Sequence, residues 1–446
     1  MTNPAPKTTR RNFLKKTGAA SAVFAVPTII PASALGGDGK TAPSNRIVMG
    51  SVGWGMQGPW NCNQHMNYDD CQVVAVCDLD KNVREGAARH IDEYNKTKGC
   101  QAYHDYREMM ARDDLDAVIL SVPDTWHALT ATEAAKNKLD IWGEKPLART
   151  IAEQQAIVKA VEGANLIWQT GSWQRSQPNF RKGCEMVLNG LIGKVKHVEV
   201  GLPGGHNDFA GTKDKREITD PPESLDYDMW IGPSKMEPYI ECRIHKNWRW
   251  NYNIGGGQLL DWIGHHCDIA HWGLGYDNTG PIEVEGQGDF PAPDAIWNTC
   301  TKYRIESKYA SGVTMTIAGG HRDIRSGTKW IGEDGWVWVD RGGFDCSNPE
   351  WKELLKKEEL PDDIRKVQLY KSPGHHRNLL DCIKSRKPTL APVATAHHSA
   401  IPGHLGLIAM MTGRKIKWDP DKEVIIGDDE ASKLLTREYR DPWKLS

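Results

Sequence analysis

Asp261, His265 and Asp268 stand at i, i+4 and i+7 in the segment Gly255-Gly-Gly-Gln-Leu-Leu-Asp261-Trp-Ile-Gly-His265-His266-Cys-Asp268. On a helix they share one face, and His266 is turned about 100° away. An imidazole held beside a carboxylate can accept a proton near neutral pH. A second cluster, Gly143-Glu144-Lys145-Pro146, follows a strand-like run and adds an ammonium group. Oxidising an alcohol needs such a base for the hydroxyl proton, and it also needs an acceptor for the hydride.

The acceptor is supplied by a third pattern. Ile47-Val-Met-Gly-Ser-Val-Gly53-Trp54-Gly55-Met56-Gln-Gly58 is an apolar strand running into G-x-G-x-x-G, and the next strand, Gln72 to Cys77, ends on Asp78, twenty residues past the third glycine. In this fingerprint the glycines let backbone amides and a helix N-terminus approach a pyrophosphate, and the acid takes the adenosine ribose hydroxyls. A carboxylate there repels a 2'-phosphate, so NAD is expected over NADP, which Lys81 and Arg84 nearby leave open.

The elements around these residues fall into two textures. From 46 to 170, strand-like runs (116–122, 139–142, 166–169) alternate with helical ones (130–138, 151–163), the signature of a doubly wound parallel sheet. Beyond about 193, short alternating runs at 196–200, 299–305, 313–317 and 336–339 predict a mostly antiparallel sheet. The stretch 373–413 reads as helical with a break at Pro388 and Pro392, packing back on this antiparallel sheet. The fold class is α/β: a Rossmann domain over 46–170 and a substrate-binding and oligomerisation domain over 171–446.

Residues 1–34 read as a twin-arginine export signal: Arg10-Arg11 in a basic stretch, an apolar run from Ala19 to Ile30, then Ala32-Ser33-Ala34 as a cleavage site, with 35–45 as a linker. Five of the 56 basic residues lie in that segment, leaving 51 against 58 acidic side chains, a formal net charge of −7 after cleavage. This balance argues against nucleic acid and anionic membranes as partners. The ten cysteines have no ligand spacing and read as buried thiols, with one or two bridges open to an exported protein. The pairs His265-His266, His375-His376 and His397-His398 invite a metal, but neighbours on a helix point apart, so no metal is expected.

Across these motifs the chain resembles the glucose-fructose oxidoreductase, inositol dehydrogenase and MocA (Gfo/Idh/MocA) family. The resemblance rests on the fingerprint, Val122-Pro123-Asp124 with His127, Glu144-Lys145-Pro146, Gly171-Ser-Trp173-Gln-Arg175-Ser at the domain junction, and the glycine-rich entry to Asp261 and His265. It implies a catalytic set of Lys145 on the reacting hydroxyl, His265 as acid/base, and Asp261 binding a neighbouring hydroxyl or orienting the imidazole. It also implies a cofactor site of Gly53, Trp54, Gly55, Met56, Gly58, Asp78, Pro123, His127, Glu144 and Lys145. Asp268 reads as structural.

Eighteen tryptophans outnumber tyrosines and phenylalanines. Trp173, Trp248, Trp250 and Trp262 are interleaved with Gln174, Arg175, His245, Arg249 and Asn251, and flat rings beside hydrogen-bond donors suit a sugar or polyol. The expected substrate site is Trp173, Arg175, His245, Trp248, Arg249, Asp261 and His265.

An exported enzyme works where free NAD is scarce, so its cofactor is expected to be held and recycled, and a homo-oligomer, dimer or tetramer, is expected. Recycling fits coupled oxidation and reduction of two sugars, or transient oxidation within one substrate that permits elimination of a glycosidic bond or epimerisation. Some relatives in the family are NAD-dependent glycosidases. The Glu-Lys-Pro form ranks oxidoreductase first, glycoside cleavage second, and a non-catalytic sugar-binding protein third.

Overall fold

The computed structural model describes residues 41–445. The expected signal at 1–34 and most of the 35–45 linker lie outside them. Pro43–Asn45 form a 3-10 turn in a unit distinct from the chain beyond Arg46.

Six strands build the first sheet: β1 (Ile47–Val52), β2 (Cys71–Cys77), β3 (Gln101–Tyr103), β4 (Ala117–Leu120), β5 (Asp140–Gly143) and β6 (Trp168–Thr170). All are parallel, in the order β3-β2-β1-β4-β5-β6. β4 and β5 are buried along their whole length, as a sheet covered on both faces requires. Helix α1 (Gly58–Met66) and helix α2 (Lys81–Asn95) cover one face, with Cys62, Met66, Ala87 and Ile91 in its core. Asp80 starts α2 as its N-cap, accepting from the amides of Asn82 and Val83. Helix α3 (Ile151–Gly163), opened by a Thr150–Glu153 capping box, packs on the other face through Ile157 and Val161. The strand order reverses between β1 and β4, so their carboxyl ends diverge and leave a crevice.

After helix α4 (Pro178–Leu188), the second sheet begins with β7 (Val195–Leu202). Helix α5 (Gly257–Leu274) intervenes before β8 (Glu283–Asp289), β9 (Lys302–Lys308), β10 (Thr314–Gly319), β11 (Gly327–Gly332), β12 (Trp336–Asp340) and β13 (Gly343–Cys346). Helices α6 (His375–Ser385) and α7 (Val393–Thr412) precede β14 (Ile416–Asp419) and β15 (Val424–Ile425). The order is β13-β12-β11-β7-β10-β9-β8-β14-β15, antiparallel throughout except for β7 with β10. One face alternates inward, with Val198, Val200, Tyr303, Ile305, Ile317 and Trp330 packing on Leu260, Ile263 and Cys267 of α5 and Ile401 and Leu405 of α7. The opposite face carries polar side chains such as Glu199, Lys329, Arg304 and Glu306.

The break expected at Pro388 and Pro392 separates α6 from α7. α6 returns to the first sheet, where Leu379 and Leu380 join its core and Arg377 bridges to Asp70 at 2.7 Å. The ten cysteines are free thiols. Among the described residues no helix is long and apolar enough to cross a membrane.

Candidate active site

A cleft of about 430 Å³ runs along the carboxyl ends of β2, β1, β4 and β5 and ends against the start of α5. At the β1 turn, Gly53 has φ +86°, and a Cβ there would lie 2.3 Å from the Ser121 carbonyl oxygen. A Cβ on Gly58 would lie 2.1 Å from the Gly53 carbonyl oxygen, so this glycine lets α1 start tight against the turn and does not face the cleft. Gly55 has no atom within 4 Å of its Cβ position, which leaves its backbone open to a ligand.

Asp78 closes β2 on the cleft wall and accepts from the amides of Trp54 (2.8 Å) and Asp80 (3.0 Å). Burial pushes its carboxyl up, against the amides that hold it as an anion. A glycine turn with one open backbone position, a helix N-terminus and a strand-end carboxylate fit a dinucleotide. Met56, Pro123 and Glu144 also line this end. Glu144 is fixed by Asn61 Nδ2 at 2.8 Å and the Trp142 indole at 3.3 Å.

His127, expected at the cofactor, does not line the cleft. Its ring nitrogens lie 2.7 Å from the Pro146 carbonyl oxygen and 3.0 Å from that of Val122. It ties the Val122 loop to the Lys145-Pro146 segment from behind.

At the far end, Lys145 projects from the end of β5 onto α5. Its Nζ donates to Asp261 Oδ1 at 2.9 Å and to the Asp261 carbonyl oxygen at 3.1 Å. Gly264 permits this approach, since a Cβ there would lie 3.0 Å from Lys145 Cβ. The glycines at the start of α5 have their own surroundings. Gly257 sits at φ +70° with Thr299 2.5 Å from its Cβ position, and the Gly256 amide donates to the buried carboxylate of Asp124 at 3.0 Å. Burial pushes the Asp261 carboxyl up, but Lys145 and Arg249 beside it more than offset this, and the net effect is downward. Asp261 is therefore an anion near neutral pH.

His265, one turn along α5, faces the same cleft between the rings of Trp262 (5.4 Å) and Trp173 (6.4 Å). Its Nδ1 is buried without a hydrogen-bond partner. Burial, then the charges of Lys145 and Arg341, hold its pKa well below the ordinary 6.5, so the imidazole is neutral. His266 turns away as the helical spacing requires, its Nδ1 3.3 Å from Gln174 and its Nε2 3.4 Å from Asp340.

Arg175, expected to touch substrate, is 1% exposed and points into the protein. Its guanidinium is taken up by Asp268 (2.7 and 2.9 Å) and Asp277 (2.7 and 3.0 Å). A buried cation needs such partners, and the Asp268 carboxylate is one, a structural role as expected. Trp173, His245, Trp248 and Arg249 do line the cleft. Trp250 is buried in a stack with Phe209 at 3.9 Å and belongs to the core.

Arg341, which no sequence motif singled out, also lines the cleft, as does Trp262 from the group of tryptophans interleaved with hydrogen-bond donors. The histidine pairs elsewhere are packed. His376 stacks on Trp142 at 4.3 Å, whereas His397 and His398, contrary to the rule that helix neighbours diverge, both face Glu423 Oε1 at 2.9 and 3.5 Å.

Comparison with known proteins fits this arrangement. The Gfo/Idh/MocA profile described as "Oxidoreductase family, NAD-binding Rossmann fold" matches residues 47–172, and "Oxidoreductase family, C-terminal alpha/beta domain" matches 177–445. The chain belongs to the Gfo/Idh/MocA oxidoreductase family. Its first domain is an NAD-binding Rossmann domain. Relatives include a glycosyl hydrolase family 109 protein of Shewanella baltica and an alpha-N-acetylgalactosaminidase of Shewanella oneidensis, each 30% identical over 209 residues. The match spans 43% of this chain and 45% of each relative's length. Among solved structures, the WlbA dehydrogenase from Bordetella pertussis, in complex with NADH and UDP-GlcNAcA, superposes with a TM-score of 0.59 at 17% identity. That superposition covers 84% of this chain and 99% of the other.

Proposed function

We propose that this protein oxidises a hydroxyl of a sugar, polyol or glycoside, using NAD that it retains between turnovers. One observation carries the reading: the Lys145–Asp261 pair at 2.9 Å and the neutral His265 lie in the cleft that the Gly53 turn and Asp78 share. NAD, when bound, supplies a hydride acceptor that can also give the hydride back. Lys145 donates a hydrogen bond to the reacting hydroxyl oxygen and lowers the cost of its deprotonation. Asp261 holds the Lys145 ammonium in place and accepts from a neighbouring hydroxyl. His265 takes the hydroxyl proton, and the ring walls of Trp173, Trp262 and Trp248 give a sugar its apolar contacts.

A second reading is glycoside cleavage with no net change in redox state. The 30% identity to a glycosyl hydrolase family 109 protein favours it. Export through Arg10-Arg11 and assembly as a dimer or tetramer belong to the same proposal.

Extraction of the purified protein identifies the retained dinucleotide, and a panel of free sugars, polyols and glycosides then separates the readings. One reduced nicotinamide per product supports the dehydrogenase. Product without net reduction, after exhaustive dialysis and with no NAD added, supports redox-neutral turnover. Binding with no product leaves a sugar-binding protein.

A further inference from the structure

Arg341 is presented to the cleft by a tight hairpin. β12 and β13 pair in register from Asp340 with Gly343, leaving Arg341 and Gly342, at φ +71°, as a two-residue turn. The guanidinium is set by two indoles, with its carbon 4.7 Å from the Trp173 ring and 4.5 Å from the Trp262 ring. These are the rings that flank His265. An arginine held over aromatic faces keeps its N–H donors free to pair.

Among the described residues no side chain pairs with those donors. The nearby acids are already engaged. Asp261 is bound to Lys145 and lies 3.5 Å from Arg249, and Asp340 accepts from Ser326 Oγ at 2.9 Å and faces His266. A planar, unpaired guanidinium in a ligand cleft suits a carboxylate or a sulfate.

Building on the reading above, we propose that the cleft selects a sugar carrying an anionic group, a carboxylate or a sulfate ester, and that Arg341 is the residue that reads it. The same choice bears on the proton transfer. After burial, Lys145 and Arg341 are the charges that most oppose a proton on His265. A substrate anion on Arg341 offsets that opposition as the imidazole takes up its proton, so an acidic sugar favours the base as well as the binding.

The test is a titration of the cofactor-loaded protein with glucuronate, glucose 6-sulfate and glucose, followed by isothermal titration calorimetry. At least one acidic sugar is expected to bind about tenfold or more tightly than glucose, the scale of a charged hydrogen-bonded pair. The stronger of the two identifies the group. Arg341→Gln is expected to abolish the difference between acidic and neutral sugars, and Arg341→Lys to keep part of it. Equal affinities in the native protein, no binding of either acidic sugar, or an acidic preference that survives Arg341→Gln would overturn the assignment. Acidic sugars that bind through Arg341 yet neither reduce the bound cofactor nor turn over would instead count against the function proposed above.

Discussion

Lys145 at the end of a parallel strand and Asp261 on a helix of the second sheet's layer, 116 residues apart, meet at 2.9 Å across the cleft. The pair is charged and partly shielded, with side-chain exposures of 16% and 19%, so solvent weakens it only in part. It fixes the ammonium on the cleft wall, and it keeps Asp261 ionised. Neither side chain has that effect alone.

Lys145→Ala and His265→Ala are each expected to lose about 2 to 4 orders of magnitude in turnover while still folding and retaining cofactor. His266→Ala should spare the chemistry and lower the melting temperature instead, because it empties a fully buried site next to Gln174 and Asp340. Steady-state rates and thermal melts of the three variants decide it. A rate loss at His266 equal to that at His265 would contradict the assignment of the helix faces.

Arg175→Ala leaves Asp268 and Asp277 without their partner. The expected cost is about 3–5 kcal/mol of stability, as for a broken buried pair, read by urea unfolding. A variant of native stability that has lost sugar binding would return Arg175 to the substrate site.

Asp78→Ser is expected to shift cofactor preference from NAD toward NADP, measured as the ratio of the two dissociation constants. An unchanged ratio would show that the Asp78 carboxylate serves only the Trp54 and Asp80 amides.

Acid should unfold the protein early. Burial lowers His65, His271 and His375 to about 4 each, and burial likewise lowers His266 to about 4. In the unfolded chain these groups titrate near 6.5, so between 6.5 and 4 the unfolded state binds more protons than the folded one. The stability they contribute is full above pH 6.5 and is lost as pH falls toward 4. Melting temperatures across that range should fall steeply, and a flat profile would mean the histidines are solvated.

The fingerprint and the α5 face were legible in the sequence because both are local. Gly53 to Asp78 is one strand-turn-helix-strand unit, and Asp261 and His265 are a single helical turn apart. What stayed hidden depends on distance. The burial of Arg175 is decided by Asp268 and Asp277, 93 and 102 residues away, and its sequence neighbours Trp173 and Gln174 gave no sign of it. His127 sits in a motif on the cofactor side, yet its ring is claimed from behind by Pro146. Arg341 lies in a two-residue turn that looks like any surface hairpin, and only the approach of its guanidinium to Trp173 and Trp262, distant in sequence, marks it as part of the site. The return of α6 to the first core, through Leu379 and Leu380, likewise carries no local mark.

The most direct test of the central claim is a single mixing experiment. Cofactor-loaded protein, with no NAD added, is combined with each acidic and neutral sugar or glycoside that it binds, and the near-ultraviolet band of reduced nicotinamide is followed in time. A band that rises with the native protein, approaches one equivalent per chain or settles at a smaller steady level, and is absent in Lys145→Ala and His265→Ala is the expected result. Tight binding of a sugar with no band at any time in the native protein, or an equal band in the two variants, would contradict the account.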